Sequence, residues 1–195
     1  MPRSPSRTGR SGSPGRSPRV RVRLARSADD LRQARRLVGE YVRSLGLDLG
    51  FQGIDRELEA FPASYAPPRG RLWLARVDGR AAGCVGVRRF EGSICEMKRL
   101  YVRRAFRGFR VGRRLAVASV RAAQRIGYRR MRLDTLGSMT AAIELYRTLG
   151  FREIPPYRFN PEPGARYFEL DLTAARRGRR AVAAGRRKRR AEPIL

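Results

Sequence analysis

Near residue 100 the chain changes how it joins its strands, and that change limits the fold more than any other feature. Before it, "RLWLARV" (71–77) and "RAAGCVGVRRF" (80–90) flank Asp78-Gly79, a strong two-residue hairpin signal, and "SICEMKRLYV" (93–102) extends the meander. After it, helical and extended periods alternate. Val111, Leu115, Ala118, Ala122 and Ile126 stripe a helix over 111–126, "YRRMRLDTL" reads as a strand, and "SMTAAIELYRTLG" as a helix stopped by Gly150. "FREI" and "ARYFELDL" close the chain as two further strands around a proline-rich connection. Tight hairpins make antiparallel neighbours, whereas a strand–helix–strand crossover permits a parallel one. The fold class is therefore α+β, a mixed and mostly antiparallel central sheet flanked by helices, in a single domain.

Upstream of the meander, "VRVRLAR" (20–26) alternates apolar and basic residues as a first strand does. Ser27 then caps a helix, with Asp30 placed as in a capping box, and Leu31, Ala34, Leu37, Val38, Tyr41, Val42 and Leu45 form its apolar stripe up to Gly46. A short helix is expected around 55–60. Residues 1–18, nearly all Pro, Ser, Gly and Arg, cannot bury enough apolar surface to offset their ordering entropy and read as a disordered basic arm. Residues 174–195, with nine cations against Glu192, read as a disordered basic tail. The folded domain is expected over 19–173.

Of the formal charge of +28, the first 19 residues carry +5 and residues 174–195 carry +8, which leaves +15 on the middle of the chain. Such a surface attracts polyanions at low salt, so nonspecific nucleic-acid binding through the basic termini is expected whatever else the chain does. Nearly all of this charge is arginine; Lys98 and Lys188 are the only lysines. Histidine is absent, which excludes Ser-His triads, histidine general bases and histidine-containing metal sites. Acid–base work is left to carboxylates, tyrosine and cysteine. Cys84 and Cys95 both sit in apolar strand segments, which fits buried reduced thiols, no zinc site and a cytoplasmic setting. No run approaches the roughly 18 apolar residues of a membrane span.

"RGFRVGRRL" (107–115) lies between a strand and a helix N-terminus. It meets neither the P-loop spacing nor the dinucleotide fingerprint, yet a strand, a Gly-containing turn and unpaired helix N–H groups make a generic anion seat. Gly108 and Gly112 would let a pyrophosphate approach the backbone, and Arg107, Arg110 and Arg113 would add charge-assisted bonds. An ordinary turn with solvated arginines is the competing reading.

"LYVRRAFRGFRVG" resembles the strand and [RQ]-x-x-[GA]-x-[GA] loop of the GNAT superfamily of acyl-CoA-dependent N-acyltransferases, and "AAIELYRTLGF" resembles that family's helix ending in Tyr-x-x-x-Gly-Phe. The resemblance covers about residues 20–172 and includes the order of elements. It implies acetyl-CoA as cosubstrate and no metal. Leu100, Tyr101 and Val102 would meet the pantetheine and acetyl group, and Arg107, Gly108, Phe109, Arg110, Val111 and Gly112, with Arg113, the pyrophosphate. Two positions depart from the family pattern: Arg110 stands where Gly or Ala is usual, its side chain either pointing outward or filling the cleft, and Met139 stands where many relatives have Asn.

A lysine-like amine, with pKa roughly 10.4, must lose a proton before it attacks a thioester, and the thiolate must be protonated or stabilised as it leaves. Glu96, in the strand leading to the loop, is the candidate base, or else a carboxylate paired with Lys98 or a neighbouring arginine. Period-two alternation groups Glu96 with Lys98 and Leu100, and Cys95 with Met97 and Arg99. The resemblance makes Tyr146 the general acid beside the CoA sulfur; its helical stripe also allows a core aromatic. The acceptor is expected to be a small-molecule or peptide amine. The resemblance implies that the acidic stretch 46–66 (Asp48, Asp55, Glu57, Glu59) and the loop "PPYRFNPEPG" (155–164) wall its pocket; a solvated helix face for the first and a plain connection between strands for the second are the competing readings. A nucleic-acid-binding protein with an idle core and a non-catalytic acyl-CoA-binding fold are the alternatives, and the chain is expected to be a monomer or homodimer.

Overall fold

The computed structural model describes residues 17–46 and 53–173. Both basic arms, apart from residues 17 and 18, and Asp48 of the acidic stretch lie outside the described residues. Among the described residues seven strands form one sheet: β1 (Val20–Leu24), β2 (Arg71–Val77), β3 (Arg80–Glu91), β4 (Ile94–Val102), β5 (Arg130–Leu136), β6 (Arg152–Ile154) and β7 (Ala165–Asp171). Their order is β1-β2-β3-β4-β5-β7-β6, and every neighbouring pair is antiparallel except β4 and β5. The one parallel pair is joined by a crossover helix, as the change near residue 100 requires.

Among the described residues four α-helices cover the sheet: α1 (Ala28–Leu45), α2 (Ile54–Glu59), α3 (Val111–Ile126) and α4 (Thr140–Thr148). Local chemistry sets their ends. The Asp30 amide donates to Ser27 Oγ at 3.1 Å to open α1, and Gly46 in the left-handed region closes it. The "YRTLGF" segment closes α4 as a Schellman motif: Phe151 N–H donates to Tyr146 O (3.1 Å) and Gly150 N–H to Arg147 O (2.9 Å). Gly150 has φ +89°, which a Cβ would strain, and the rings of Tyr146 and Phe151 supply the motif's apolar contact at 5.8 Å. The spacing Tyr-x-x-x-Gly-Phe is thus a helix stop that also fixes where the tyrosine sits.

The largest core cluster joins Trp73, Val85, Val87, Cys95 and Met97 of the sheet to Val111, Leu115, Ala122 and Ala123 of α3. The buried face of α3 is turned slightly from the expected stripe, because Ala116, Ser119 and Ala123 are fully buried whereas Ala118 and Ile126 are half-buried. Small residues there let α3 lie close to β3, and a Cβ on Gly83 would collide with Tyr101 O. On the other face α1 and α2 pack Leu37, Val38 and Ile54 against Leu74 and Cys84. Both cysteines are buried and free, and burial pushes each thiol up to about 12.

The fold leaves one deliberate defect in β4. Its register against β3 slips between Cys84↔Tyr101 and Gly86↔Lys98, and Arg99 sits in the left-handed region with φ +57°. This is a bulge, and it reverses which face each later side chain takes. Arg99 therefore joins Glu96 and Lys98 on the α1–α2 face, while Leu100 and Val102 turn to the α3 face. The simple alternation expected from the sequence fails at this residue, and the regrouping assembles the buried charges described next.

Candidate active site

β4 and β5 are paired only at their beginnings, over Ile94↔Arg130, Cys95↔Met131 and Glu96↔Arg132. Beyond Glu96 the two strands diverge and a cleft opens between them. Leu45 and Tyr41 of α1, Lys98, Arg99 and Leu100 of β4, Asp134 and Thr135 of β5, Met139, Ala142 and Tyr146 of the α4 segment, and Asn160 and Glu162 of the β6–β7 loop are among its lining residues.

At one end of the divergence stands the N-terminus of α3. Arg110 is its N-cap, in the left-handed region with φ +57°, and no side chain caps the first turn among the described residues. Gly108 has φ +89° with open space where a Cβ would project. The arginines of the loop, Arg107, Arg110 and Arg113, are all exposed, as is Phe109, whereas Val111 is buried and offers only its amide. Arg110 is not among the residues that line the cleft. A Cβ on Gly112 would make only ordinary contact with Val102 and Leu145, so this glycine faces the gap between β4 and α4. Leu100 and Val102 flank that gap and Tyr101 turns to the α1 face, its ring 5.7 Å from that of Tyr41. The uncapped amides, together with the positive end of the helix dipole, suit a pyrophosphate, and the unpaired length of β4 suits an extended amide-bearing chain.

Tyr146 is 6% exposed and its ring packs between Phe151 and Phe168. Its hydroxyl has no hydrogen-bond partner among the described residues, yet no fully buried side-chain polar atom is left unsatisfied, so this oxygen opens into the cleft. Burial pushes the phenol well above its usual value.

Glu96 does not line this cleft. It is completely buried, Arg88 Nε donates to its Oε2 at 2.8 Å, and Tyr157 Oη and Arg158 Nη1 donate to its Oε1 at 2.9 and 3.1 Å. Glu96 and Tyr146, the two residues singled out as base and acid, are therefore not brought to one cavity. Glu57 is likewise withdrawn from any solvent-facing acidic wall. It forms a two-point pair with Arg99 (3.1 and 3.0 Å) and accepts from Tyr65 Oη at 2.7 Å, whereas Asp55 and Glu59 are exposed. Gly86 makes room for this arrangement, since a Cβ there would run into the Tyr65 ring. Lys98 Nζ lies 2.9 Å from Asp134 Oδ1, and Asn160 Nδ2 donates to Asp134 Oδ2 at 3.2 Å.

A row of buried charge thus runs along the cleft and beneath it: Glu57 with Arg99, Glu96 with Arg88 and Arg158, Asp134 with Lys98. Burial pushes each carboxyl up, but the cations outweigh it, and all three stay below their ordinary values. Lys98 is itself pushed down, because burial, with Arg99 and Arg158 adding to it, outweighs the pull of Asp134 and Glu96. Carboxyls lowered by folding contribute stability that is complete above their unfolded values, 4.5 for Glu and 3.8 for Asp, and is lost as pH falls through the lower folded values. Urea midpoints are expected to fall steeply as pH drops from about 4.5 to 3. A midpoint unchanged at pH 3 would mean that the row is not buried in solution.

Of this row the sequence singled out Glu96 as base and raised its pairing with an arginine as the alternative; Lys98, Arg99, Asp134, Arg88 and Arg158 were missed as a group. Two signals were present: Lys98 is the one lysine in an arginine-rich domain, and Asp134 is the one carboxylate in a strand that otherwise carries only arginine as its charged residue. Among the described residues there is no group of three or more His, Cys, Asp or Glu side chains suited to a metal ion, and no helix is long and apolar enough to cross a membrane.

A model of the acetyltransferase (GNAT) family matches residues 41–151, which include the bulge, the loop and α4. An uncharacterized N-acetyltransferase of Schizosaccharomyces pombe is 40% identical over 154 residues, covering 78% of this chain and 93% of that protein. One from Escherichia coli is 31% identical over 126 residues, covering 63% of this chain and 74% of that protein. Among solved structures, an acetyltransferase of the same family from Staphylococcus aureus superposes with a TM-score of 0.64 at 20% identity, covering 79% of this chain and 99% of the other. An acetyltransferase from Salmonella typhimurium, solved with its cofactor acetyl-CoA, gives 0.58 at 21% identity, with 78% and 94% covered.

Proposed function

The chain belongs to the GNAT family of acetyltransferases, and from that premise we propose that it moves the acetyl group of acetyl-CoA to an amine of a small molecule or peptide by direct attack. The observation that carries this reading is the divergence of β4 from β5 directly beside the uncapped start of α3. The pyrophosphate would rest on the amides from Gly108 to Arg113, with Arg107 and Arg113 as outer counter-charges, and the pantetheine would pair with the open side of β4 near Leu100, Tyr101 and Val102. The acetyl group then falls in the cleft that Tyr146 lines. Nothing in this arrangement calls for a metal.

The acceptor enters between α1 and the β6–β7 loop, where Glu162 on the rim offers an ammonium a counter-charge and Asp134 stands deeper in the cleft. Asp134 takes the amine's proton in this reading. Glu96, which lies outside the cleft lining, holds Arg88, Tyr157 and Arg158 in place instead. The amine nitrogen bonds to the carbonyl carbon, the carbon–sulfur bond breaks, Tyr146 gives its proton to the departing sulfur, and the second proton shed by the nitrogen restores the phenol.

Calorimetric titration of the chain at about 0.15 M salt, which screens loose attraction to the basic surface, tests the donor half of this reading. Acetyl-CoA is expected to bind one to one while ATP, of comparable charge, does not saturate. Gly108→Val, which forces a β-branched residue to a positive φ, should weaken acetyl-CoA about tenfold or more. Equal, salt-sensitive binding of both ligands would reduce the loop to one more basic patch.

A further inference from the structure

The cleft contains a nucleophile already paired with a base. Lys98 Nζ is 2.9 Å from Asp134 Oδ1, and Asp134 is held from its other oxygen by Asn160 Nδ2 at 3.2 Å. A nucleophile within hydrogen-bond reach of a base that a third group orients is the arrangement nucleophilic catalysis uses, here built in a chain without histidine. Lys98 is 5% exposed and lines the cleft that also holds the Tyr146 hydroxyl. A lysine so placed is shielded from bulk reagents and open to whatever occupies the cleft. Burial also lowers the cost of reaching the neutral amine.

We infer that Lys98 is a self-acetylation site, at which the chain's own bound acetyl-CoA acetylates Nζ when no acceptor amine is present. The inference rests on the donor reading above. Asp134 takes one proton from the Lys98 ammonium, and the neutral Nζ attacks the thioester carbonyl. The nitrogen–carbon bond forms as the carbon–sulfur bond breaks, and Tyr146 protonates the sulfur, which leaves as the CoA thiol. The nitrogen sheds its second proton, which restores the Tyr146 phenol, and the proton on Asp134 passes to solvent. The product is an amide, so the group stays on the chain as a mark and is not handed to a later acceptor. It also removes the cation of the Lys98–Asp134 pair and fills the cleft with an acetamide.

Two lysines make the test clean, since Lys188 serves as an internal control. The full chain is incubated with acetyl-CoA and no amine, and the product is mapped by fragmentation mass spectrometry. One acetyl group is expected on Lys98, formed about tenfold or more faster than on Lys188 because the donor is held beside it. Heat-unfolded chain, or acetyl phosphate in place of acetyl-CoA, should lose that preference. Asp134→Asn should slow the Lys98 label about tenfold or more, in line with loss of a general base. Should that variant not fold, Asn160→Ala, which removes only the orienting bond, should slow it several-fold. Absence of label on Lys98 with saturable acetyl-CoA binding overturns this inference and leaves the donor reading standing, whereas absence of both overturns the two together. A label that favours neither lysine, that survives unfolding, or that ignores both substitutions is ordinary chemical acetylation and overturns the inference as well.

Discussion

Arg99→Met is expected to destabilise the chain by about 3–5 kcal/mol, the usual cost of stripping one partner from a buried ion pair. That corresponds to a fall in Tm of roughly 6–20 °C for a domain of this size. The side chains of Arg99 and Glu57 are 3% and 4% exposed, and they meet through two hydrogen bonds, so solvent cannot take over the missing charge. Arg88 is the nearest remaining cation, 3.9 Å from Glu57 Oε2, too far to replace a two-point pair. Methionine keeps the length and the backbone preference of the wild-type residue, so the effect is not a consequence of the left-handed φ at this position. The double variant Glu57→Leu/Arg99→Met should recover most of the loss, because an apolar pair of similar volume avoids the desolvation of both charges. Recovery should stop short of complete, since the Tyr65 hydroxyl loses its acceptor at 2.7 Å. Thermal unfolding of the three chains decides the matter. A single variant that melts with the wild type would mean the pair contributes nothing to the fold.

The bulge that buries Arg99 also marks where reading the sequence stops working. Elements whose rules are local were legible: the Asp78-Gly79 hairpin, the α3 bounds at 111 and 126, the Ser27 cap and the Gly150 stop all follow from residues within a few positions of one another. Alternation along β4 was legible as far as Lys98 and wrong from Arg99 onward. Nothing flags the slip, because arginine is not a residue that usually takes φ near +57°. The cleft was legible in outline through its loop and its tyrosine, both fixed by short-range spacing. The buried row along and beneath it was not, since Glu57 finds Arg99 across 42 residues and Lys98 finds Asp134 across 36. In a chain with 45 basic residues the few that are buried look like all the others until the sheet places a carboxylate beside them.

Tyr146→Phe separates the two roles this residue was given. As the proton donor to sulfur, Tyr146 should be worth about 10²–10⁴-fold in kcat, the range general acids usually supply. Loss of the hydroxyl should leave acetyl-CoA affinity nearly unchanged, and stability within about 0.5 kcal/mol of wild type, because the oxygen bonds no described residue and the ring keeps its contacts with Phe151 and Phe168. The pH dependence adds a second reading. Burial raises the phenol above its usual 10.0, so it stays protonated throughout an ordinary assay range. The deficit in kcat is then the same factor at pH 7 and pH 9, and the wild-type profile has no alkaline limb from this group over that interval. Both are measured with any amine that the wild-type chain acetylates, at saturating concentrations of both substrates. An unchanged kcat in the variant would make Tyr146 only the apolar half of a helix stop, and the departing thiolate would then have to draw its stabilisation from Lys98 or from the amides at the start of α3.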